Sequence, residues 1–195
     1  MKIEPLVLPG AALVKLERLE DERGFFARSV CVRELRAHGL PGEFVQSSIS
    51  WNPRRGTVRG LHFQWPPSQE AKLVRCVRGA IYDVLLDLRP GHPSYMSHLG
   101  LTLDEDNRDA VYIPPGVAHG FQTLADDTEV LYQMTDFHAP ELATGLRWND
   151  PAFGIAWPIP QASVIAPRDA GYPDFSPPAF AAQLARRLAA GAGEG

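Results

Sequence analysis

The sequence predicts an all-β fold, a barrel or sandwich of short strands with small peripheral helices and an irregular C-terminal extension. Three observations carry this: apolar and polar residues alternate in short runs, Gly, Pro, Asn or Asp closes nearly every run, and helical patterning is confined to two stretches. In chain order, "GAALVKLERLEDERGFFARSV" alternates and then breaks at Gly24, as two early strands around a turn would. "VCVRELRAHGLPG" follows as a short helix stopped by Gly39 and Pro41. The runs "EFVQSSIS", "TVRGLHFQ", "AKLVRCVRGAIYDVLLDLRP", "SHLGLTL", "DAVYIPPGVAHGFQTL" and "EVLYQMTDF" then read as strands. From Trp157 a Pro-rich tail wraps the surface and ends in a helix, "PAFAAQLARRLAA"; the final "GAGEG" is expected to be disordered.

At 195 residues, 45% hydrophobic and 22% charged, the chain fits one globular domain spanning 1–195. A net charge of −4, and no Lys/Arg run with interleaved aromatics, argue against a nucleic-acid surface. Cys31 and Cys76 match no metal or redox spacing and are expected to be two unpaired thiols in a reducing compartment. The acidic, Pro-interrupted N-terminus is unlike a signal peptide, and no segment approaches a membrane-spanning apolar run, so the chain reads as cytoplasmic.

The segment "VRGLHFQ" carries the first chemical signal. As a strand it puts Gly60, His62 and Gln64 on one face and Arg59, Leu61 and Phe63 on the other. If the His62 face is a barrel interior, its polar groups need partners or a ligand. "YIPPGVAHGF" adds a second: Pro114, Gly116 and His119 match the P-x-G-x-x-H motif of cupin barrels, which makes a cupin jelly roll the expected architecture. Metal-binding cupins also carry an H-x-H pair, and here that position reads His62-Phe63-Gln64. An amide is a poor substitute for imidazole, and two ligands are too few for a tight site, so no metal is expected. Lys72 opens a largely apolar strand and Tyr132 shares its strand face with Val130 and Met134. A histidine base, a lysine cation and a tyrosine acid in one cavity could abstract a proton beside a carbonyl, hold the enolate and reprotonate it without a cofactor.

Together, "DERGFF", "VRGLHFQ", "KLVRCVRG", "DVLLDLRPGHPSY", "YIPPGVAHGFQTL", "LYQMTDFHAP", "WNDPAFGIAWP" and "APRDAGYPDF" resemble the dTDP-4-dehydrorhamnose 3,5-epimerases, over a core of about 4–176 with a helical tail at about 177–190. The resemblance implies a jelly-roll homodimer with exchanged N-terminal strands, acting on a nucleotide-linked 4-keto-6-deoxyhexose. The alternating stretch "AALVKLERLE", which would otherwise leave an open sheet edge, is in keeping with that exchange. It implies His62 as the base at C3 and C5, Asp169 as the carboxylate that orients it, Lys72 at the C4 oxygen and Tyr132 as the acid on the opposite face. Arg59 and His119 would contact substrate, and Arg23 and Gln46 the nucleotide.

Some positions depart from the family pattern. Arg28 and Ser48 replace a glutamate and an asparagine, Thr144 aligns with a glutamate shortly before "WND", and Phe137 and His138 stand where a tyrosine pair is common. Arg28, Ser48 and Thr144 belong to the side expected to face the nucleotide, so the reaction class is better supported than the named nucleotide. A guanidinium only donates, so Arg28 would either read the thymidine base less strictly than a carboxylate or turn outward to solvent and leave selectivity unchanged. Three other readings stay open: an epimerase acting at one carbon, a non-catalytic sugar-nucleotide barrel, and a metal-dependent cupin.

Overall fold

In a computed structural model, described here for residues 1–191, the chain folds as two antiparallel sheets face to face, the cupin jelly roll. The N-terminal strands are β1 (Lys2–Pro5), β2 (Ala12–Lys15), β3 (Leu19–Asp21) and β4 (Gly24–Phe26), followed by helix α1 (Val32–Ala37). The barrel strands are β5 (Gln46–Asn52), β6 (Thr57–Gln64), β7 (Lys72–Arg78), β8 (Ala80–Asp87), β9 (His98–Asp104), β10 (Ala110–Ile113), β11 (Val117–Thr123) and β12 (Thr128–Met134). The tail contributes β13 (Ala143–Gly145), β14 (Val164–Ile165), α2 (Pro167–Ala170) and α3 (Pro177–Gly191). One sheet runs β1-β2-β10-β7-β12-β5 and the other β13-β6-β11-β8-β9, with β14 parallel beside β6.

The alternation in the sequence becomes two buried faces. Val74, Cys76 and Val130 from one sheet meet Ile81, Leu85 and Phe121 from the other inside the barrel. The opposite faces are covered as well, so strands such as "AIYDVLLD" are apolar at nearly every position: Val84 and Leu86 pack outward under Trp148, Trp157 and Phe180 of the tail. Leu35 of α1 seals Ala12, Val14, Leu73 and Tyr112 on the other sheet. Both cysteines are free, and burial pushes the Cys76 thiol up to about 12, which keeps it protonated.

Two N-terminal features differ from the sequence reading. β2 is flanked on both sides, by β1 and β10, so "AALVKLERLE" leaves no open edge of its own. The stretch instead divides: β3 and β4 leave the barrel as a separate hairpin whose residues are exposed, including Leu19 (69%) and Phe26 (74%). Arg18 tethers this hairpin by donating to the Asp106 carbonyl, and the Arg18 and Arg108 guanidinium groups lie 4.8 and 5.4 Å from the Phe25 ring centre. The six-stranded sheet that contains β2 ends at β1 on one side and β5 on the other, and β5 exposes Ile49 and Trp51. Of "GAGEG", Gly191 closes α3 and residues 192–195 lie outside the described residues. Among the described residues no helix is long and apolar enough to cross a membrane.

Candidate active site

A bulge in β6 builds the site. His119 pairs with His62 and Phe121 with Arg59, so two steps along β11 meet three along β6. The extra residue carries Arg59 across to the His62 side, and both line one cavity of about 270 Å³ with Lys72, His119 and Tyr132. This corrects the expectation that Arg59 shares a face with Leu61 and Phe63, which do pack together under the tail. Gly60 sits inside the bulge at φ +114, where an added Cβ would lie 2.5 Å from the Gly120 Cα, so only glycine fits.

The tail supplies the carboxylate. β14 runs beside the start of β6, with Val164 opposite Thr57, and α2 then places Asp169 beneath the bulge. His62 Nε2 lies 2.9 Å from Asp169 Oδ1, while Oδ2 accepts the Gly60 N–H at 3.2 Å. Arg168 Nε donates to Asp169 at 3.3 Å, and its Nη2 lies 3.3 Å from His62 Nε2. Burial alone would raise the Asp169 pKa. The His62 contact and charge, with the Gly60 and Arg168 donors, outweigh it and hold the carboxyl below its ordinary range. In the tautomer that gives Nε2–H to the carboxylate, Nδ1 keeps a free lone pair.

The facing sheet carries the other groups. Tyr132 OH lies 3.4 Å from Ser50 Oγ. Burial pushes its pKa up; the Ser50 hydrogen bond lowers it by less, and the smaller effects of the Asp83 and Arg59 charges oppose each other, so the phenol stays protonated. Lys72 is paired with the Glu70 carboxylate, both largely shielded. His119 is buried against Asp83, 2.5 Å from Oδ1, with its ring edge-on to Tyr132 at 6.1 Å. Two further cavities meet the first at His62. One, of about 180 Å³, is lined by Glu70, Lys72, His138 and Thr144; the other, of about 280 Å³, by Arg59, Arg168 and Asp169.

Thus His62, Lys72, Tyr132, Asp169, Arg59, His119, Ser48 and Thr144 come together around this cleft. Three of the expected binding residues are engaged elsewhere in the single chain. Arg23 is 85% exposed on the hairpin and pairs with Asp21; Arg28 donates to Glu34 of α1 at 3.1 Å; and Gln46 accepts the His138 N–H at 2.7 Å. Gln64, at the position of the second motif histidine, uses its amide to hold the loop after β12, through Phe137 O and Ala139 N, and donates to Ser68 Oγ in the loop between β6 and β7. Among the described residues no group of three His, Cys, Asp or Glu side chains could hold a metal. Sequence reasoning missed Asp83, Glu70, Arg168, Ser50 and Asn52. Asp83 was detectable as a charge inside the apolar run "AIYDVLLD", and Ser48, Ser50 and Asn52 as a period-two polar face of β5.

Fold and cleft together define a cupin barrel equipped for acid–base chemistry on a bound carbonyl compound. The family model for dTDP-4-dehydrorhamnose 3,5-epimerase matches residues 5–177, and the chain belongs to that family, isomerases that act on a nucleotide sugar. A dTDP-4-dehydrorhamnose 3,5-epimerase of Sinorhizobium fredii is 37% identical over 175 residues, 90% of each chain. A dTDP-4-dehydrorhamnose 3-epimerase of Streptomyces niveus is 37% identical over 170 residues, 87% of this chain and 81% of its own. The crystal structure of the Bacillus anthracis 3,5-epimerase with TDP and PPi bound matches with a TM-score of 0.86 at 34% identity, covering 89% of this chain and 99% of that one.

Proposed function

We propose that this chain epimerises a dTDP-linked 4-keto-6-deoxyhexose at C3 and C5 by proton abstraction and reprotonation from opposite faces of the ring. The observation that carries the roles is the His62–Asp169 pair on one wall of a cleft whose other wall presents a protonated Tyr132. His62 takes the proton beside the C4 ketone, and the C–H electron pair becomes the enolate. Lys72 stabilises the charge on the C4 oxygen, and Tyr132 returns a proton to the carbon from the far side as the ketone re-forms. Arg59 and Arg168 flank His62 and suit the diphosphate, a pair of guanidinium forks for phosphate oxygens; His119 lines the cavity with Tyr132, and Thr144 the separate one beside Glu70 and His138.

The partner in this proposal is a second copy. Leu19 and Phe26 on the hairpin, and Ile49 (67%) and Trp51 (56%) on the open β5 edge, are exposed apolar surfaces that a homodimer would cover. The exchanged element is then the β3–β4 hairpin, which would carry Arg23 to the partner's cleft. Two unpaired thiols suit a reducing compartment, and we place the enzyme in the cytoplasm.

The test is an NMR assay in deuterated water with dTDP-4-keto-6-deoxyglucose, scored separately at C3 and C5. Wild type should exchange at both carbons, and His62→Asn should lose both by roughly 10²–10⁴ in rate. Equal exchange in the two proteins removes the base assignment. The similarity to the Streptomyces niveus 3-epimerase, equal in identity to that with the 3,5-epimerase above, favours one second reading, action at a single carbon. Exchange at C3 alone establishes it.

A further inference from the structure

We propose that Asn52 is a positioning residue for this reaction, one buried amide that orients Arg59 through its oxygen and the Tyr132 hydroxyl, by way of Ser50, through its nitrogen. The inference rests on the reading of Tyr132 as the acid. Asn52 ends β5 and is fully buried. Its Oδ1 accepts from Arg59 Nε at 2.7 Å, and its Nδ2 donates to the Thr128 carbonyl at 3.1 Å and to Ser50 Oγ at 3.3 Å. These partners fix the amide in one sense. A main-chain carbonyl needs a donor and a guanidinium needs an acceptor, so turning the amide over would strand both in a buried site.

Each arm has a chemical consequence. On the oxygen side, Nε is tied to the amide, so the guanidinium presents its remaining N–H groups to the cleft at a fixed angle. On the nitrogen side, Asn52 gives an N–H to Ser50 Oγ, and in the proposed arrangement Ser50 gives its own O–H to the Tyr132 oxygen 3.4 Å away. Tyr132 is then the acceptor of that contact, and its proton points into the cleft, where the carbanionic carbon must collect it. A single side chain therefore sets both the angle of an anion-binding group and the direction of the acid proton. Nothing in the sequence motifs marks Asn52; its role follows from its neighbours on β5, β6 and β12.

Three variants separate the arms. Ser50→Ala removes the Tyr132 contact and leaves Arg59 alone. Asn52→Asp still accepts from Arg59 but cannot donate to Ser50 or Thr128, and Asn52→Ala removes both arms. The readouts are KM and the ratio of net epimerisation to deuterium uptake, with thermal melting as the control for folding. Ser50→Ala should lower the ratio by about fivefold or more with KM within about twofold of wild type, and Asn52→Ala should lower the ratio and raise KM by about tenfold. Asn52→Asp should lower the ratio as Ser50→Ala does.

A purely structural amide predicts a lower melting temperature with KM and the ratio unchanged, and that result in Asn52→Ala overturns the proposal. An unchanged ratio in Ser50→Ala overturns the Tyr132 arm even if the Asn52 variants fail to fold. Tyr132→Phe run alongside tells the two readings apart. If it lowers the ratio and Ser50→Ala does not, Asn52 and Ser50 are wrongly assigned. If it too leaves the ratio unchanged, the acid assignment has failed and the Tyr132 arm falls with it.

Discussion

Replacing Asp169 with asparagine should remove the base while leaving its outline intact. Asp169 uses both oxygens: Oδ1 faces His62 Nε2 at 2.9 Å and Oδ2 accepts the buried Gly60 N–H at 3.2 Å. An asparagine has one acceptor to offer, and the Gly60 donor is part of the bulged main chain and cannot turn away. With the amide oxygen on Gly60, the NH2 group meets His62 and forces Nε2 to accept; the imidazole proton moves to Nδ1, the atom that should take the substrate proton. With the amide reversed, two donors face each other at Gly60, which costs about 1–3 kcal/mol. In that case the imidazolium also exchanges a carboxylate for a neutral acceptor and gives up much of a charge-assisted bond of about 1.5–3 kcal/mol. Together these amount to roughly 3–6 kcal/mol, or about 10²–10⁴ in rate at 1.36 kcal/mol per decade. Deuterium uptake at C3 and C5 measures it, with KM expected within about threefold of wild type. Exchange by Asp169→Asn within about tenfold of wild type would refute the tautomer argument. The pH signature follows from the lowered carboxyl. Because the folded pKa lies below the ordinary 3.8, the stability it contributes is complete above the unfolded value and is lost as pH falls through and below 3.8. Acid unfolding of Asp169→Asn should therefore be shallower in that window, and identical slopes would contradict the role given to the His62 contact.

Tyr132→Phe should retain deuterium uptake from the His62 face while net inversion falls by roughly 10² or more; inversion at the wild-type rate would exclude Tyr132 as the acid. Glu70→Gln removes a negative charge beside Lys72 in the cleft where an enolate has to form, so the exchange rate should rise by about three- to tenfold, and a fall would show that Glu70 holds Lys72 in its working position. Wild type should scatter light as a dimer at micromolar concentration and Phe26→Glu, on the exposed hairpin, should shift it toward monomer; a stable, active wild-type monomer counts against the exchanged hairpin. Arg28→Ala should leave calorimetric affinities for thymidine and uridine diphosphates within about twofold, because its guanidinium lies on the exposed surface beside Glu34 of α1, whereas a tenfold change in their ratio would restore Arg28 to base recognition.

The barrel strands were legible because their physics is local. β6, β8, β11 and β12 each carry alternation or a doubly buried apolar run closed by Gly, Pro, Asn or Asp. β1 was not, since four residues ending in proline show no period of their own and pair only because β2 is there. The division of "GAALVKLERLEDERGFF" between β2 and a free hairpin was equally hidden, being decided by contacts with residues 106–108. In the site, His62, Lys72 and Tyr132 stood out as polar residues in apolar strands. The side taken by Arg59 did not, because a one-residue bulge reverses the alternation that a sequence reader must assume. Asp169 lies 107 positions from His62 and came from the family motif alone, and Asp83 and Glu70 were overlooked because a charge beside its partner looks like an ordinary ion pair until burial is known.

The division of the jelly roll into two sheets bears directly on the stereochemistry. His62 and Arg59 belong to the sheet β13-β6-β11-β8-β9, whereas Tyr132 and Lys72 belong to β1-β2-β10-β7-β12-β5. Packed sheets lie about 10 Å apart, close to the thickness of a sugar ring with a side chain in contact on either face. In the proposed reaction a ring bound between them would meet the imidazole on one face and the phenol on the other. A proton removed toward one sheet and returned from the other inverts the carbon; one returned from the same sheet restores it. Inversion thus depends on the cleft staying open at His62, where the three cavities join, and on the phenol remaining protonated, which its burial and the Asp83 charge both favour. Asp83 also holds His119 beside the Tyr132 ring, so one buried carboxylate adds to the upward shift that burial imposes on the phenol and fixes the ring against which it rests.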